Sequence, residues 1–151
     1  MKTVVQRVRR AEVRVDDQII GRIDQGLLLL VGVEKGDSQA DADASARKIA
    51  ALRIFAGRTP MDLTVADVQG GCLVVSQFTL AASLAKGNRP SFEPAEEPRR
   101  AEALYLRVVD QLRAAGLSVE TGRFGADMQV ALVNDGPVTF LVCTAGGALI
   151  K

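Results

Sequence analysis

The sequence contains no histidine and no tryptophan. A Ser-His-Asp triad, a Cys-His dyad or a histidine-ligated metal site therefore cannot be built from its own residues. A nucleophile, if the chain uses one, has to be a Ser, Thr, Cys or Lys that something other than histidine activates. The missing histidine thus limits the available catalytic mechanisms without excluding an enzyme.

Cysteine is scarce, and no apolar run is long. Cys72 and Cys143 lie far apart in apolar surroundings, with neither a CxxC nor a zinc-ligand spacing. We expect both to be buried small hydrophobic residues without a disulfide, as in a reducing compartment. The N-terminus is polar and basic, and the longest apolar run, residues 27–33, is too short to cross a membrane. The sequence therefore predicts a cytoplasmic protein with no membrane partner, no metal and no cofactor.

An excess of charge of one sign is also missing. The chain has nineteen basic and eighteen acidic residues, which gives a net charge of +1. This balance excludes a protein that works mainly through a large positive field over a long nucleic acid, so we predict no DNA partner. A local basic patch remains possible.

The composition is that of a globular protein, with 48% hydrophobic and 25% charged residues. The length of 151 residues suits one domain, and neither a linker nor an internal repeat interrupts it. We predict a single domain over residues 1–151. The residues from about 146 to 151, after two consecutive glycines, are predicted to be a frayed tail.

The first fifteen residues predict a strand with a bulge. Val4 and Val8 share one parity, whereas Val13 and Val15 share the other. Because side chains alternate between the two faces of a strand, an extra residue near Arg9-Arg10 is needed to change parity.

Helix-end signals and periodicity predict the other elements. Ser38 and Asp41 have the spacing of a capping box, and Pro98 and Gly116 bracket a second helix. Its apolar residues recur at helical spacing and include Tyr105 as a core residue: Ala101, Leu104, Tyr105, Val108, Val109 and Leu112. Further strands are predicted at residues 18–23, 27–33, 72–78, 128–133 and 138–143. The fold class is α/β, a single domain of mixed, barrel-like, layered β-sheets with two main helices packed on one side.

Four polar segments interrupt the apolar pattern. Residues 76–80 (Ser-Gln-Phe-Thr-Leu) end a buried strand, where α/β sites collect, although ordinary turn chemistry also explains them. Residues 86–92 (Lys-Gly-Asn-Arg-Pro-Ser-Phe) suit either a phosphate and a stacked base or a solvated loop. Residues 121–126 (Thr-Gly-Arg-Phe-Gly-Ala) are only loosely like a phosphate loop, since they open no helix. Residues 134–139 (Asn-Asp-Gly-Pro-Val-Thr) place Asp-Gly between two strands, which favours a hairpin on physical grounds.

These four segments, in this order and at these separations, resemble the signatures of the D-aminoacyl-tRNA deacylase family, formerly called D-tyrosyl-tRNA deacylases. The family's opening, Gln-Arg-Val followed by Ala-x-Val-x-Val, also matches residues 6–8 and 11–15. The resemblance therefore covers about the whole chain.

The resemblance implies a hydrolase that cleaves the ester between a D-amino acid, or a mischarged glycine, and the 3′-terminal adenosine of tRNA. It also implies a homodimer in which Gly136-Pro137, a cis peptide in the family, reaches into the partner subunit's site. Carried over residue by residue, the catalytic segment is Ser76, Gln77, Phe78 and Thr79. The substrate-binding residues are Arg7, which helps to hold the Gly-Pro element, and Arg89, Phe124, Asn134, Gly136, Pro137 and Thr139.

Such a site is physically coherent. A rigid main-chain wall beside the α-carbon leaves room for hydrogen but not for a side chain, so an L-residue clashes while a D-residue and glycine fit. Backbone N–H groups near Gln77 and Phe78 would stabilise an oxyanion while water attacks with help from the neighbouring ribose hydroxyl. The rival is Thr79 as a covalent nucleophile; no evident base partners it, so we favour substrate-assisted attack.

The sequence departs from the family pattern at one position, and two other functions remain as alternatives. Asp62 replaces the Asn of the family's usual Met-Asn-Leu, so no role of that Asn is carried over. A non-catalytic tRNA- or RNA-binding dimer would use the basic residues Arg7, Arg9, Arg10, Lys86, Arg89 and Arg123. A structural dimer with a ligand groove would rest on the apolar content alone.

Overall fold

A long N-terminal strand organises the sheet. In the computed structural model, which describes residues 1–150, β1 spans Lys2–Val15. Its first half pairs antiparallel with β3 (Gly26–Gly32) and its second half with β2 (Gln18–Ile23). On its other side β1 pairs with β6 (Gln129–Ala145). β1 is thus shared by both halves of a curled sheet.

The remaining strands extend this sheet in both directions. β4 (Gly71–Ser76) lies parallel to β3, and β5 (Ser118–Thr121) lies parallel to β4. β7 (Ala148–Ile150) is antiparallel to β6. The strand order is β5-β4-β3-β1-β6-β7, with β2 attached to β1.

Two helices pack against this sheet, as predicted. They are α1 (Gln39–Ala51) and α2 (Pro98–Ala114). At the start of α1 the Asp41 carboxylate accepts hydrogen bonds from the Ser38 N–H (2.9 Å) and hydroxyl (2.8 Å), as the capping-box spacing predicted. Gly116, just past α2, has φ +84°, a conformation that glycine adopts without strain.

The main core lies between the helices and one face of the sheet. Every residue of the predicted α2 stripe is buried there, Tyr105 included. A second apolar cluster, which contains Val13, Leu28 and Leu73, fills the opposite side under β2. Because β3 and β4 are covered on both faces, their sequences are continuously apolar. The predicted fold class, a mixed sheet with two helices on one side, is confirmed.

The bulge predicted near Arg9-Arg10 is present in β1, but a second irregularity before Val8 was not predicted. Val5, Val8 and Ala11 are buried at a spacing of three residues. The register between β1 and β6 shifts twice between Gln6 and Arg10. The parity of the buried residues therefore changes twice, once on each side of Val8. Val4, which the sequence grouped with Val8, is only half-buried.

Residues 134–139 do not form the predicted hairpin. Val133 pairs with Arg10 and Thr139 pairs with Gln6, so the chain on both sides of the interruption runs antiparallel to the same strand. The two strands predicted at 128–133 and 138–143 are therefore one strand, β6, with a long bulge. Pairing with a continuous β1 outweighs the local preference of Asp-Gly for a tight turn.

The predicted frayed tail is wrong for residues 148–150, which form β7. Gly146 and Gly147 have φ +60° and +78°, so together they make a turn that L-residues rarely adopt. The Gly147 N–H also donates to Asp41 Oδ1 at 2.8 Å. Lys151 lies outside the described residues. β5 was not predicted, since residues 118–121 alternate only over four positions.

The cysteines are free, as expected, but only one is fully buried. Cys72 is buried, and burial raises the pKa of its thiol to about 12, so it is not a thiolate nucleophile at neutral pH. Cys143 is half-buried, because it lies on β6 near the sheet edge. No helix within residues 1–150 combines the length and apolar character needed to span a membrane.

Candidate active site

A short turn at the carboxyl end of β4 carries most of the predicted catalytic residues. Ser76 is the last residue of β4, and the Gln77 N–H still donates to the Val31 carbonyl of β3 at 2.8 Å. The chain then forms a 3₁₀ turn, Phe78–Ala81, so the strand predicted at 72–78 ends two residues early. The polar segment therefore leaves the sheet at a fixed point.

Gly32 at the end of β3 allows this turn to lie against the sheet. A Cβ atom at position 32 would stand 2.7 Å from Leu80 Cβ and 3.0 Å from the Gln77 carbonyl oxygen. Real Cβ atoms essentially never make contacts as short as the first. The close approach fixes the height of the turn above the sheet.

The turn presents two backbone donors. The Gln77 N–H is occupied by Val31, so it is not the oxyanion donor that the sequence suggested. Within residues 1–150, the N–H groups of Phe78 and Thr79 have no protein acceptor, as is usual for the first turn of a helical segment. The available donors are therefore displaced by one residue, to Phe78 and Thr79.

The Thr79 hydroxyl has an amide partner rather than a base. Gln77 Nε2 donates to Thr79 Oγ1 at 2.6 Å. No carboxylate or amine of the described residues is hydrogen-bonded to that hydroxyl. An amide cannot remove a proton at neutral pH, whichever way it is oriented. Within residues 1–150, no group hydrogen-bonded to Thr79 could therefore activate it as a covalent nucleophile.

A cavity of about 460 Å³ opens beside the turn. Ser76, Gln77 and Phe78 line one side, and Phe124 lines the other, so the structure brings these predicted residues together. Gly125 and Ala126, which belong to the motif at 121–126, also line the cavity. The sequence analysis missed the other lining residues: Val75, Glu96, Pro98, Ala101, Asp127, Met128 and Val130. Pro98 was recognised as a helix start, but no sequence signal places that helix end beside residues 124–128.

Tyr105 fixes the wall that carries Phe124. Its hydroxyl donates to the Val74 carbonyl at 2.8 Å, and the Gly122 N–H donates to the same oxygen at 3.1 Å. The Tyr105 and Phe124 ring centroids are 6.1 Å apart. Burial raises the pKa of Tyr105 to about 12, which keeps it neutral. Helix α2, β4 and the segment after β5 therefore meet at one carbonyl beneath the cavity.

The bulge in β6 forms a second cluster of predicted residues. Arg7 Nε donates to the Asp135 carbonyl at 3.0 Å and lies 3.2 Å from Asp135 Oδ2. Asn134 Nδ2 donates to the Arg7 carbonyl at 2.9 Å and to the Val138 carbonyl at 3.3 Å. Gly136-Pro137, at the tip, is cis and exposed. The base of the bulge is fastened to β1, and its tip faces outward.

A family model described as D-Tyr-tRNA(Tyr) deacylase matches residues 4–143. The chain belongs to this deacylase family. A D-aminoacyl-tRNA deacylase of Paracoccus denitrificans (strain Pd 1222) is 54% identical over 149 residues, which cover 98% of this chain and 100% of the relative. A D-aminoacyl-tRNA deacylase of Anaeromyxobacter dehalogenans (strain 2CP-C) is 57% identical over 145 residues, covering 94% and 96%. The resemblance inferred from the motifs is confirmed.

Two solved structures have the same fold as this chain. A protein described as c-Myc DNA Unwinding Element Binding Protein superposes with a TM-score of 0.90 at 40% identity, covering 97% of this chain and 100% of the other. A probable eukaryotic D-amino acid tRNA deacylase superposes with a TM-score of 0.80 at 16% identity, covering 93% and 97%. At that identity the second likeness shows the fold alone.

In this deacylase-family chain the other predicted residues lie apart from the cavity. Thr139 Oγ1 accepts from Gln6 Nε2 at 3.3 Å, near the bulge. Arg89 is exposed in a loop whose ends are joined by two hydrogen bonds between Ser83 and Ser91, of 2.8 and 3.0 Å. The predicted site thus occupies three places in one chain: the cavity, the β6 bulge and this loop.

Asp62, which departs from the family pattern, makes structural contacts outside the cavity. Its carboxylate is buried and accepts from Arg53 at 2.8 Å and from the Arg58 N–H at 2.9 Å. It does not line the cavity. Among residues 1–150, no group of three or more Cys, Asp or Glu side chains is arranged to hold a metal ion.

Proposed function

We propose that this protein hydrolyses the ester bond of D-aminoacyl-tRNA, and of mischarged glycyl-tRNA, to give the free amino acid and tRNA. The observation that carries this function is the turn at 76–79, which presents free N–H groups next to the cavity in a chain of the deacylase family. The D-aminoacyl-tRNA deacylases to which it is similar span its length.

The chemistry requires little from side chains, because an aminoacyl ester is already activated. Water attacks the ester carbonyl carbon, and the carbonyl oxygen becomes an oxyanion that the N–H groups of Phe78 and Thr79 stabilise. Each such donor is typically worth about 3 kcal/mol. The C–O bond to the ribose then breaks, and the proton lost by water passes, by way of the neighbouring ribose hydroxyl, to the departing ribose oxygen.

The Thr79→Val variant distinguishes this route from covalent catalysis. We expect turnover of D-aminoacyl-tRNA within about threefold of wild type, since Thr79 only receives a hydrogen bond from Gln77. The measurement is single-turnover deacylation with acid quench. Loss of turnover, together with an acyl-enzyme trapped in the wild type, would reject substrate-assisted attack.

Rejection of L-amino acids is assigned to Gly136-Pro137 of a second subunit. The tip of the bulge is exposed, and neither residue lines the cavity of its own chain. Exposed apolar side chains accompany it on β6, namely Leu132, Phe140 and Leu141. A homodimer that covers this strand would bring the tip of one subunit to the cavity of the other, where main chain beside the α-carbon excludes an L side chain.

Matched D- and L-aminoacyl-tRNA test the function against its alternatives. Release of the D-amino acid alone supports the enzyme, whereas binding without release supports a non-catalytic RNA-binding dimer. Indifference to both supports a structural dimer. We propose that residues 1–151 act as one catalytic domain in the cytoplasm, which a tRNA substrate supports.

A further inference from the structure

Two exposed phenylalanine rings meet at the edge of the cavity. Phe78, which lines the cavity, is 55% exposed, and Phe92 is 43% exposed. Their ring centroids lie 5.0 Å apart with an interplanar angle of 58°. Large aromatic side chains usually bury most of their surface, so a pair that remains this accessible offers a face to a ligand.

The loop that ends at Phe92 is held in place, and its only charged side chains are basic. The two hydrogen bonds between Ser83 and Ser91 close the loop and fix the position of Phe92 beside Phe78. Between residues 83 and 92 there is no acidic residue, whereas Lys86 and Arg89 are both exposed. Neither cation makes an ion pair within residues 1–150. Their charges are available to an external anion.

We propose that Phe78, Phe92, Lys86 and Arg89 form a docking surface for the single-stranded end of an RNA. A base stacks on the phenyl pair, and the backbone phosphate next to it pairs with the two cations. Accessible aromatic rings beside unpaired cations are the combination that binds single-stranded nucleic acid with little dependence on base identity. The net charge of +1 suits this arrangement, since it supports contact with a few phosphates and not with a long duplex.

This inference rests on the proposed function, because it places the nucleotide that carries the ester next to the turn at 76–79. It adds Phe92 and Lys86 to the site, and it explains why Arg89 lies outside the cavity. It also gives the exposed Phe78 side chain a role that is separate from the backbone N–H of the same residue.

The test compares Phe92→Leu with Phe92→Tyr in the full chain, with D-tyrosyl-tRNA as substrate. Loss of stacking in Phe92→Leu is expected to raise KM at least fivefold with kcat within twofold of wild type, and Phe92→Tyr, which keeps the ring, is expected to stay within twofold. The double variant Lys86→Gln/Arg89→Gln is expected to raise KM and to reduce its dependence on salt concentration.

Matched controls are Leu84→Ala, at a side chain that is 73% exposed in the same loop, and Lys48→Gln, at an exposed cation of α1. Both should leave KM within twofold of wild type.

An unchanged KM in Phe92→Leu overturns the inference. A change of oligomeric state in that variant, measured by sedimentation velocity, also overturns it, because it would show that a second copy covers the rings. If the wild type hydrolyses no D-aminoacyl-tRNA, the proposed function fails instead. Titration of a labelled single-stranded ACCA oligonucleotide then decides the surface alone: weaker binding to Phe92→Leu supports it and equal binding rejects it.

Discussion

The turn at 76–81 and the bulge at 134–138 are both polar interruptions of apolar strands, but they are built differently. The turn is held against the sheet by its own chain: by the hydrogen bond to Val31, by the close approach at Gly32 and by the Gln77–Thr79 hydrogen bond. The bulge is held only at its base, by Arg7 and Asn134, while its tip is exposed. A segment whose tip has no partner within its chain is placed to act on something outside it. This difference supports our proposal that the first region supplies the chemistry and the second the selectivity.

The largest effect is expected from Gly32→Ala, which should displace the turn. The new Cβ would meet Leu80 Cβ at 2.7 Å, so the turn must move away from the sheet. A misplacement on the order of 1 Å at a reacting centre costs about 100-fold in rate, and we expect a loss of D-aminoacyl-tRNA hydrolysis of this size. Single-turnover kinetics measure it, and thermal unfolding checks that the fold is retained.

A second substitution separates displacement of the turn from general damage. Leu80→Gly, added to Gly32→Ala, removes the closer of the two contacts and should recover part of the lost rate. Equal activity of the single variant and wild type would show that the height of the turn is not critical.

The next largest effect is expected from Arg7→Gln, which should loosen the bulge. Loss of the guanidinium group removes the hydrogen bond to the Asp135 carbonyl and a second hydrogen bond to the Ile54 carbonyl. We expect the ratio of D- to L-aminoacyl-tRNA hydrolysis to fall at least about tenfold, because a main-chain wall that moves no longer excludes an L side chain. Arg22→Gln, an exposed arginine paired with Glu12 on the same sheet, is the control. A fall in D-hydrolysis with an unchanged ratio would contradict separate roles for the two regions.

A smaller change is expected from Asp135→Asn. The carboxylate lies 3.2 Å from Arg7 Nε and 3.6 Å from Arg9 Nε, but the Asp135 carbonyl bond to Arg7 is kept in this variant. Because partly exposed ion pairs contribute about 1 kcal/mol or less, we expect the D/L ratio to fall about two- to fivefold. A drop as large as that of Arg7→Gln would show that the charge, and not the main-chain bond, holds the bulge.

The smallest effect is expected from Tyr105→Phe, beneath the cavity. The variant removes one donor to the Val74 carbonyl, but the Gly122 N–H still satisfies that oxygen. The free energy of unfolding should therefore fall by only about 1 kcal/mol, which for a chain of this size lowers Tm by about 2–4 °C. Calorimetry measures it. A loss of several kcal/mol would mean that the wall carrying Phe124 depends on this one bond.

Local patterns predicted the elements whose signals lie within a few neighbouring residues. The capping box at Ser38, the α2 stripe and the parity change in β1 each follow from spacing along one segment. The predicted catalytic segment came from motif resemblance and lies at the end of β4 as strand-end reasoning expects. The motif at 121–126 supplied Phe124, whereas residues 96–101 and 127–128 were missed as cavity walls because nothing within either segment indicates the other.

The sequence by itself determined the family, both helices, the first four strands and the exclusion of a histidine-based mechanism, because these depend on residue identity and local spacing. Only the tertiary structure decided that residues 134–139 are a bulge and not a hairpin, that the free N–H groups belong to Phe78 and Thr79, and that Phe92 lies against Phe78. The reason is physical. Local preferences differ by about 1 kcal/mol or less per residue, whereas pairing with a continuous strand and the packing of distant segments add many such contributions.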